Sequence, residues 1–472
     1  MTSWANTPTR DLHLDLRERI TPGARGAREL LLGALRDAVR SGRLSPGTML
    51  PPSRSLAADL GLARNTVAEA YAELVAEGWL ASRQGAGTWV VNTAGAAAPA
   101  APRGVRSTPR HDLRPGSPDV AEFPRAEWVA ATRRALTTAP TEALRMGDPR
   151  GRPELRQAIA EYLTRARGVR TSAESVVICA GVRHGVEVLT RVLHGDRPIA
   201  VEAYGLFMFR DAIAALGVPT VPIGVDEHGA VVGDLDGLDT PAVLLTPAHH
   251  NPFGVPLHPS RRTAVVDWAQ RTGGYVIDDD YDGEFRYDRQ PVGALQALSP
   301  DRVVYLGSAS KSLSPVLRLG WMVLPADLVD AVIEAYGGDQ FYVNGIAQLT
   351  MAEFVTSGYY DKHIRRMRIR YRRRRDVLVE ALGGFDIGIS GLNAGLNTLL
   401  TLPDGAEHEV VQRAGEAGIA LQGLSLMRHP LAGPEVPQLD GVIIGFGTPA
   451  EHAFAAAVEA LCGVLASSGL SR

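Results

Sequence analysis

Between Val91 and Asp112 the chain runs through Asn92-Thr93-Ala94-Gly95-Ala96-Ala97-Ala98-Pro99-Ala100-Ala101-Pro102, an Ala, Pro and Arg segment with no apolar periodicity. A stretch of this kind reads as an inter-domain linker, so the chain is expected to fold as separate bodies on either side of it. The boundaries predicted are a first domain over 11–91, a linker over 92–112 and a second domain over 113–472. The first piece is small for an enzyme but ample for a binding module. Neither piece shows an internal repeat.

Composition narrows the class. With 45% hydrophobic and 21% charged residues the chain is an ordinary soluble one, not a disordered or fibrous one. No stretch approaches the roughly 20 apolar residues that a membrane helix needs. The N-terminus, with Asp11 and Asp15 and no apolar core, does not read as a signal peptide, so the expected location is cytoplasmic, with no membrane partner. Cys179 and Cys462 lie far apart without metal-ligand spacing, so both read as small buried apolar residues, and no metal is expected. A formal charge of -3 gives no global attraction for nucleic acid, and any DNA-binding surface must be local. Of 49 Lys and Arg only two are lysines, Lys311 and Lys362. A guanidinium stays protonated and cannot form an imine, so Schiff-base chemistry has two candidates here.

In the first piece, Leu30, Leu31, Ala34, Leu35, Ala38 and Val39 follow helical spacing from about Gly26, and Gly42 ends that helix. Ser53 is a candidate N-cap for a short second helix through Leu56, Ala57 and Leu60, stopped by Gly61. Val67, Ala70, Tyr71, Leu74 and Val75 mark a third. Two helices joined by a tight Gly turn make a helix-turn-helix, and Trp79 to Ser82 and Thr88 to Val91, flanking Gln84-Gly85-Ala86-Gly87, read as a wing. Arg64, Asn65 and Thr66 stand at the end of the third helix that enters a major groove in this motif, where Arg takes guanine bidentately and Asn or Thr reaches base edges. Arg43, Arg54 and Arg83 would contact the backbone. The alternative is a three-helix scaffold that binds protein. Ten Arg face nine Asp and Glu over residues 11–92, a net of +1, so one copy should bind DNA weakly and a dimer on two half-sites is expected. Leu50-Pro51-Pro52-Ser53-Arg54-Ser55-Leu56-Ala57, Ala63-Arg64-Asn65-Thr66-Val67 and Gly85-Ala86-Gly87-Thr88 resemble the winged helix of GntR-type repressors. That resemblance places Ser53, Gly85 and Gly87 in the DNA-binding set.

In the second piece, β-rich runs at Ser175 to Cys179, Ala242 to Thr246, Tyr275 to Ile277 and Val303 to Leu306 alternate with helical patterns, which indicates a mostly parallel α/β sheet. Just after the last run, Ser308-Ala309-Ser310-Lys311-Ser312-Leu313-Ser314-Pro315 and Arg318 surround a lone amine with hydroxyls and a guanidinium. A cofactor with an aldehyde and a phosphate needs such a set: Lys311 for the imine, and Ser308, Ser310 and Arg318 for phosphate oxygens. Asp278 to Asp282 follow a buried strand, where a carboxylate needs a cationic partner. A protonated pyridine nitrogen supplies one, and Asp279 is assigned to it, with Asp278 as the alternative. Tyr281 and Asn251 would donate to the ring hydroxyl. After Cys179 the chain passes Gly181, Val182 and Arg183 into a helix, whose free N–H groups suit phosphate. Singly, each of these is as well read as a turn, cap or surface residue.

Together they resemble the fold-type I pyridoxal-phosphate enzymes of the aminotransferase class. Met146 to Arg156, His249-His250-Asn251-Pro252-Phe253-Gly254, Ile277 to Tyr287, Ser308 to Trp321 and His363-Ile364-Arg365-Arg366-Met367 match in order. The resemblance implies a winged helix followed by an α/β PLP-dependent transferase fold type I, a mostly parallel sheet with a smaller α+β C-terminal part. A GntR-type winged helix linked to such a domain is the arrangement of MocR-type transcriptional regulators. It implies operator DNA, an amine or pyridoxal 5'-phosphate itself as effector, and a homodimer. The rival readings are a working aminotransferase with an accessory DNA-binding domain, and a regulator whose sensor fold holds no cofactor.

Three departures bear on catalysis. Where the family carries a ring-stacking Tyr this chain has Leu206, with Tyr204 and Phe207 as possible replacements, and Met146 stands where an aromatic is expected. Ile443 occupies the position of the Arg that grips a substrate carboxylate; Arg428 is a candidate substitute. A missing clamp counts against efficient transamination of amino acids. The eight Arg between Arg365 and Arg375 read as a solvated or subunit-facing helix before they read as a nucleic-acid stripe.

Overall fold

In the computed structural model, which describes residues 26–83, 87–91, 109–287, 292–338, 343–391 and 394–470, the chain separates into two units, Met1–Ser107 and Thr108–Arg472.

In the first unit, helix α1 (Ala27–Arg40) buries Leu31, Leu32, Ala34, Leu35 and Ala38. Leu30, expected inward, is 47% exposed. Leu30 and Leu32 flank the apolar stripe on opposite edges, and the fold covers only the Leu32 edge. Strand β1 (Met49–Leu50) precedes α2 (Ser53–Leu60), which ends at Gly61 in the left-handed region, φ 66°. Ser53 is not the cap foreseen: Pro52 holds that position, Ser53 is the first helical residue, and its side chain makes no cap bond. Helix α3 (Arg64–Ala76) buries Val67, Ala70, Tyr71 and Leu74, and the Tyr71 hydroxyl donates to the Pro51 carbonyl at 3.0 Å, tying α3 to the turn before α2. Strands β2 (Leu80–Arg83) and β3 (Gly87–Val90) pair antiparallel, with β1 on the other side of β3. Three helices and this small sheet close one core and make a winged helix.

The second unit begins with β4 (His111–Asp112), paired in parallel with residues 419–420. The last two residues of the expected linker thus belong to a folded edge; their alternation was too short to read as a strand. Helices α4 (Arg125–Thr138) and α5 (Pro153–Arg167) follow. Next come β5 (Val176–Cys179), α6 (Val182–Leu193), β6 (Ile199–Glu202), α7 (Phe207–Ala215), β7 (Thr220–Ile223), β8 (Ala242–Leu245), α8 (Pro259–Thr272), β9 (Tyr275–Asp279), β10 (Val303–Ser308) and β11 (Gly320–Val323). The seven-stranded sheet has the order β5-β11-β10-β9-β8-β6-β7, parallel except around β11. Alternate residues of the buried strands feed different cores: Val276 packs with Val243 and Trp268 on one face, Ile277 with Leu189 and Leu306 on the other. Helices α9 (Val329–Tyr336), α10 (Gly345–Thr356) and α11 (Tyr359–Leu382) then lead to a smaller antiparallel sheet. Its strands β12 (Gly388–Ser390), β13 (Asn397–Thr401), β15 (Gln422–Gly423) and β16 (Gly441–Gly445) lie in the order β12-β13-β16-β15; β14 (Ile419–Ala420) is the partner of β4. Cys179 is buried as expected, whereas Cys462 is only half-buried.

Candidate functional site

Strand β9 runs two residues further than its apolar pattern, so Asp278 and Asp279 are strand residues and point to opposite faces. Asp278 accepts the Leu295 N–H at 2.8 Å, and burial, with Asp280 adding to it, pushes its carboxyl up to about 7. Asp279 turns into a cavity. It is 3% exposed, its Oδ1 has no hydrogen-bond partner among the described residues, and burial holds its carboxyl well above the usual range against the opposing pull of Lys311. A buried acceptor left open is costly unless a donor arrives.

Lys311 follows β10, whose last residue is the buried Ser308. Its Nζ donates to the Gly116 carbonyl at 2.7 Å. Burial lowers the amine below the usual lysine range, opposed by the carboxylates of Asp279 and Asp282. Gly116 sits at φ 106°, and a Cβ there would lie 3.4 Å from Nζ. The Ser310 N–H donates to Ser308 Oγ at 3.3 Å. Arg318 is exposed at φ 51°, and its guanidinium forms no ion pair among the described residues. A Cβ on Gly181 would lie 3.5 Å from its Nη1. Gly181, at φ 95°, is the N-cap of α6, so the open N–H groups of that helix and the Arg318 guanidinium converge. The Arg183 side chain is turned to Glu187 at 3.0 Å.

One cavity of about 490 Å³ collects every residue that the sequence singled out for the cofactor: Lys311, Asp279, Tyr281, Asn251, Gly181, Val182, Arg183, Ser308, Ser310 and Arg318. The Asn251 N–H donates to Thr246 Oγ1 at 3.2 Å, and the Tyr281 hydroxyl lies 2.9 Å from His249 Nδ1. Sequence reasoning did not find the rest of the lining, which includes Arg114 to Ser117, Asn397, Gln422 and Thr448. No spacing rule links Gly116 to Lys311 or Gln422 to Asp279; only the fold joins them.

The departures take definite places. Leu206 and Phe207 both line the cavity, whereas Tyr204 is buried with its hydroxyl donating to the Pro437 carbonyl at 2.9 Å, so of the two replacements Phe207 is the one on the wall, where Phe209 also lies. Ile443 is fully buried in a cluster with Tyr204 and Met427, opposite Leu399 and Gln422 in the sheet. Arg428 Nη2 donates to the carbonyls of Ala432, Gly433 and Val436, each at 3.1 Å, and Arg428 is absent from the cavity wall. Arg114 reaches the wall but pairs with Asp112 at 2.6 Å. Met146 is 69% exposed. In the arginine run, Arg374 is buried and binds Asp119 at 2.7 Å, whereas Arg365, Arg372 and Arg373 are exposed.

In the first unit, Arg64 and Asn65 are exposed on the opening turn of α3 and Thr66 is half-buried. Arg43, Arg54, Arg83 and Gly87 are exposed as well, and Arg83 pairs with Gly87 at the end of the β2–β3 hairpin. Gly85 lies outside the described residues.

Comparison with known proteins matches residues 29–90 to the gntR family of bacterial regulatory proteins and residues 113–430 to aminotransferase class I and II. The pyridoxine biosynthesis transcriptional regulator PdxR of Corynebacterium glutamicum is 33% identical, over 88% of this chain and 90% of its own. The probable rhizopine catabolism regulatory protein MocR of Rhizobium meliloti is 31% identical, over 87% and 88%. Among solved structures, Pyrococcus horikoshii kynurenine aminotransferase superposes with a TM-score of 0.68 at 24% identity, covering 77% of this chain and 92% of that one, a likeness of fold.

Proposed function

This chain belongs to the MocR-type transcriptional regulators, a gntR-type winged helix joined to a class I and II aminotransferase domain, and we propose that its larger unit senses a small amine, or pyridoxal phosphate itself, through bound pyridoxal phosphate. The observation that carries this reading is the gathering in one cavity of a lysine, a buried carboxyl oxygen on Asp279 and the guanidinium of Arg318 beside a helix N-terminus, the oxygen without a hydrogen-bond partner and the guanidinium without an ion pair among the described residues. Those are the three complements of an aldehyde, a protonated ring nitrogen and a phosphate. When bound, pyridoxal phosphate supplies an aldehyde that takes up primary amines and a ring that withdraws electrons. Lys311 would hold the aldehyde carbon, Asp279 the ring nitrogen, Tyr281 and Asn251 the ring oxygen. Arg318, Ser308, Ser310 and the N–H groups after Gly181 would hold the phosphate.

The cations left over favour sensing over transamination of amino acids. With Lys311 and Arg318 committed to the cofactor, Arg114 is neutralised by Asp112, Arg183 by Glu187, and Arg428 is bound to carbonyls. A ligand carboxylate entering this cavity would be desolvated without a partner, at several kcal/mol. The neutral Asn397 and Gln422 suit an amine without a carboxylate. In the winged helix, Arg64, Asn65 and Thr66 would read bases, and Arg43, Ser53, Arg54, Arg83, Gly85 and Gly87 would follow the backbone of operator DNA. A homodimer would set two such modules on two half-sites.

The experiment is operator binding by the full chain, on a duplex selected from a random pool, with and without pyridoxal phosphate. Cofactor should change the affinity or the footprint of the wild type and leave Lys311→Ala unchanged. Identical binding in all four cases would overturn the sensing role.

A further inference from the structure

Behind Tyr281, and outside the set assigned to the cofactor, lies a buried pair that the sequence did not single out. His249 is 4% exposed and Asp282 1%. His249 Nδ1 lies 3.0 and 3.2 Å from the two carboxylate oxygens of Asp282 and 2.9 Å from the Tyr281 hydroxyl. The imidazole and phenol rings stack at 6.0 Å. Two glycines close over the pair. A Cβ on Gly395, at φ 81°, would collide with Asp282 and His249, and one on Gly254 would lie 3.1 Å from His249 Nε2.

These contacts fix the hydrogens. A carboxylate only accepts, so the nitrogen facing both oxygens of Asp282 carries the hydrogen. His249 Nε2 is buried with no partner among the described residues, whereas acceptors face Nδ1, so the hydrogen is placed on Nδ1 from these contacts. With its one hydrogen shared between Asp282 and Tyr281, Nδ1 cannot accept from the phenol. The Tyr281 oxygen receives, and its own hydrogen has two directions open to it, the Asp282 carboxylate, with which Tyr281 shares a hydrogen bond, and the cavity.

We propose that His249 is a positioning residue: by donating to the Tyr281 oxygen and engaging both oxygens of Asp282 it frees the Tyr281 hydroxyl hydrogen from Asp282 for the cavity, toward the ring oxygen of the bound cofactor. A phenol that accepts a hydrogen bond is a stronger donor in turn. Of the charged groups acting on Tyr281, Asp282 itself is the strongest and also shares a hydrogen bond with it, followed by Asp279 and, beyond it, Glu202; Lys311 feels Asp279 and Asp282. None of them donates to the Tyr281 oxygen in this structure.

The inference rests on the cofactor reading, and its test separates the two. Full-length protein is loaded with pyridoxal phosphate and the visible absorbance of the lysine-bound cofactor is titrated with pH. His249→Gln, which places no donor at the Nδ1 position, should raise the midpoint by about one unit, a tenfold gain in proton affinity. His249→Asn, whose amide nitrogen falls near the Nδ1 position, should restore the wild-type midpoint. In a Tyr281→Phe background His249→Gln should add no further shift, which a merely structural role would not predict. Should His249→Gln fail to fold, His249→Phe reads the same donor loss. A wild-type midpoint in the Gln or Phe variant, or an equal shift with Asn, would overturn the proposal. Failure of the wild type to take up cofactor would instead overturn the reading of the cavity.

Discussion

Lys311 Nζ donates to the carbonyl of Gly116, 195 residues earlier in the chain, at 2.7 Å. The contact binds the segment that opens the second unit to the reactive lysine, and glycine suits position 116 because its φ of 106° is one that L side chains rarely adopt. Of the two lysines, covalent attachment of the cofactor should depend on Lys311. Lys311→Ala should abolish borohydride-fixed labelling by pyridoxal phosphate, read by mass. Lys362→Ala, an exposed change on α11, should leave it intact. Loss of labelling with Lys362→Ala and not with Lys311→Ala would reverse the assignment.

The winged helix gives a paired prediction. Arg64 stands exposed on the first turn of α3, whereas Arg43 lies in the turn after α1 with its Nε on Ser41 Oγ at 3.3 Å. Arg64→Ala should cost about 1–3 kcal/mol of specific affinity and relax base preference at one position. Arg43→Ala should weaken binding evenly across sequences and reduce the salt slope by about one. Titrations at several salt concentrations on matched and mismatched duplexes distinguish the two.

The periodicities of α1 and α3, the Gly punctuation at Gly61 and the pairing of β2 with β3 were legible because local sequence dictates them. So were Lys311, Asp279 and Gly181, each at the end of a strand that its apolar run announces. The ends of β9 and β10 were not. Both run two residues past the hydrophobic run, since a strand continues while its neighbours offer ladder partners: Asp278 pairs with Tyr305 and Asp279 with Leu306. That extension, invisible in the pattern, is what separates the two aspartates onto different faces. The Asn397 and Gln422 wall was illegible for another reason: it comes from a second sheet whose approach to the first no local rule encodes.

Among the eight arginines from Arg365 to Arg375, burial decides which matters to stability. Arg374 is 3% exposed and is held by Asp119, by Glu451 at 2.8 Å and by the carbonyls of Phe446, Gly447 and Pro449. Arg374→Ala would strand a buried Asp119 carboxylate and should cost about 3–5 kcal/mol in denaturant unfolding. Arg372→Ala, on the exposed side, should stay within about 0.5 kcal/mol. Equal losses would mean that the pair is not closed in solution.

Buried acids set the pH response. Burial pushes the Glu202 carboxyl up to about 8, against the hydrogen bonds from Thr246, and Asp278 and Glu284 up to about 7. The folded chain therefore keeps protons that the unfolded chain has already lost, and stability falls as pH rises through this window. His250, His363 and His429, all lowered by burial, act the other way, but only below about 6.5. From pH 6.5 to 8 the carboxyls are unopposed by these histidines, and the cofactor-free protein should lose stability with each step. Glu202→Gln keeps an acceptor for Thr246 and should flatten the upper part of that slope. An unchanged slope in the variant would show that Glu202 is ionised in the folded state.

The effector class follows from what flanks Ile443. In the sheet its direct partners are Leu399 and Gln422, and Gln422 with Asn397 forms the cavity wall nearest the missing arginine. Arg428 donates to three carbonyls at 3.1 Å, all from Nη2, while its buried Nε has no partner among the described residues. Freeing it for a ligand would leave those acceptors unmet, about 1–3 kcal/mol for each that stays buried, which a single new ion pair does not recover. Arg114 is the nearer competitor, since it lines the cavity, but its two bonds to Asp112, at 2.6 and 2.9 Å, would have to break. Titrating the loaded protein while following its visible spectrum, primary amines with hydroxyl or amide groups should perturb the band at lower concentration than the α-amino acids of matching size. Ile443→Arg would bury a charge among Tyr204, Leu399 and Met427 and should destabilise the fold before it improves amino-acid binding. A sub-millimolar response to an ordinary amino acid that disappears in Arg428→Ala or Arg114→Ala would show that one of these arginines leaves its partners to grip the carboxylate, and the preference for carboxylate-free amines would fall.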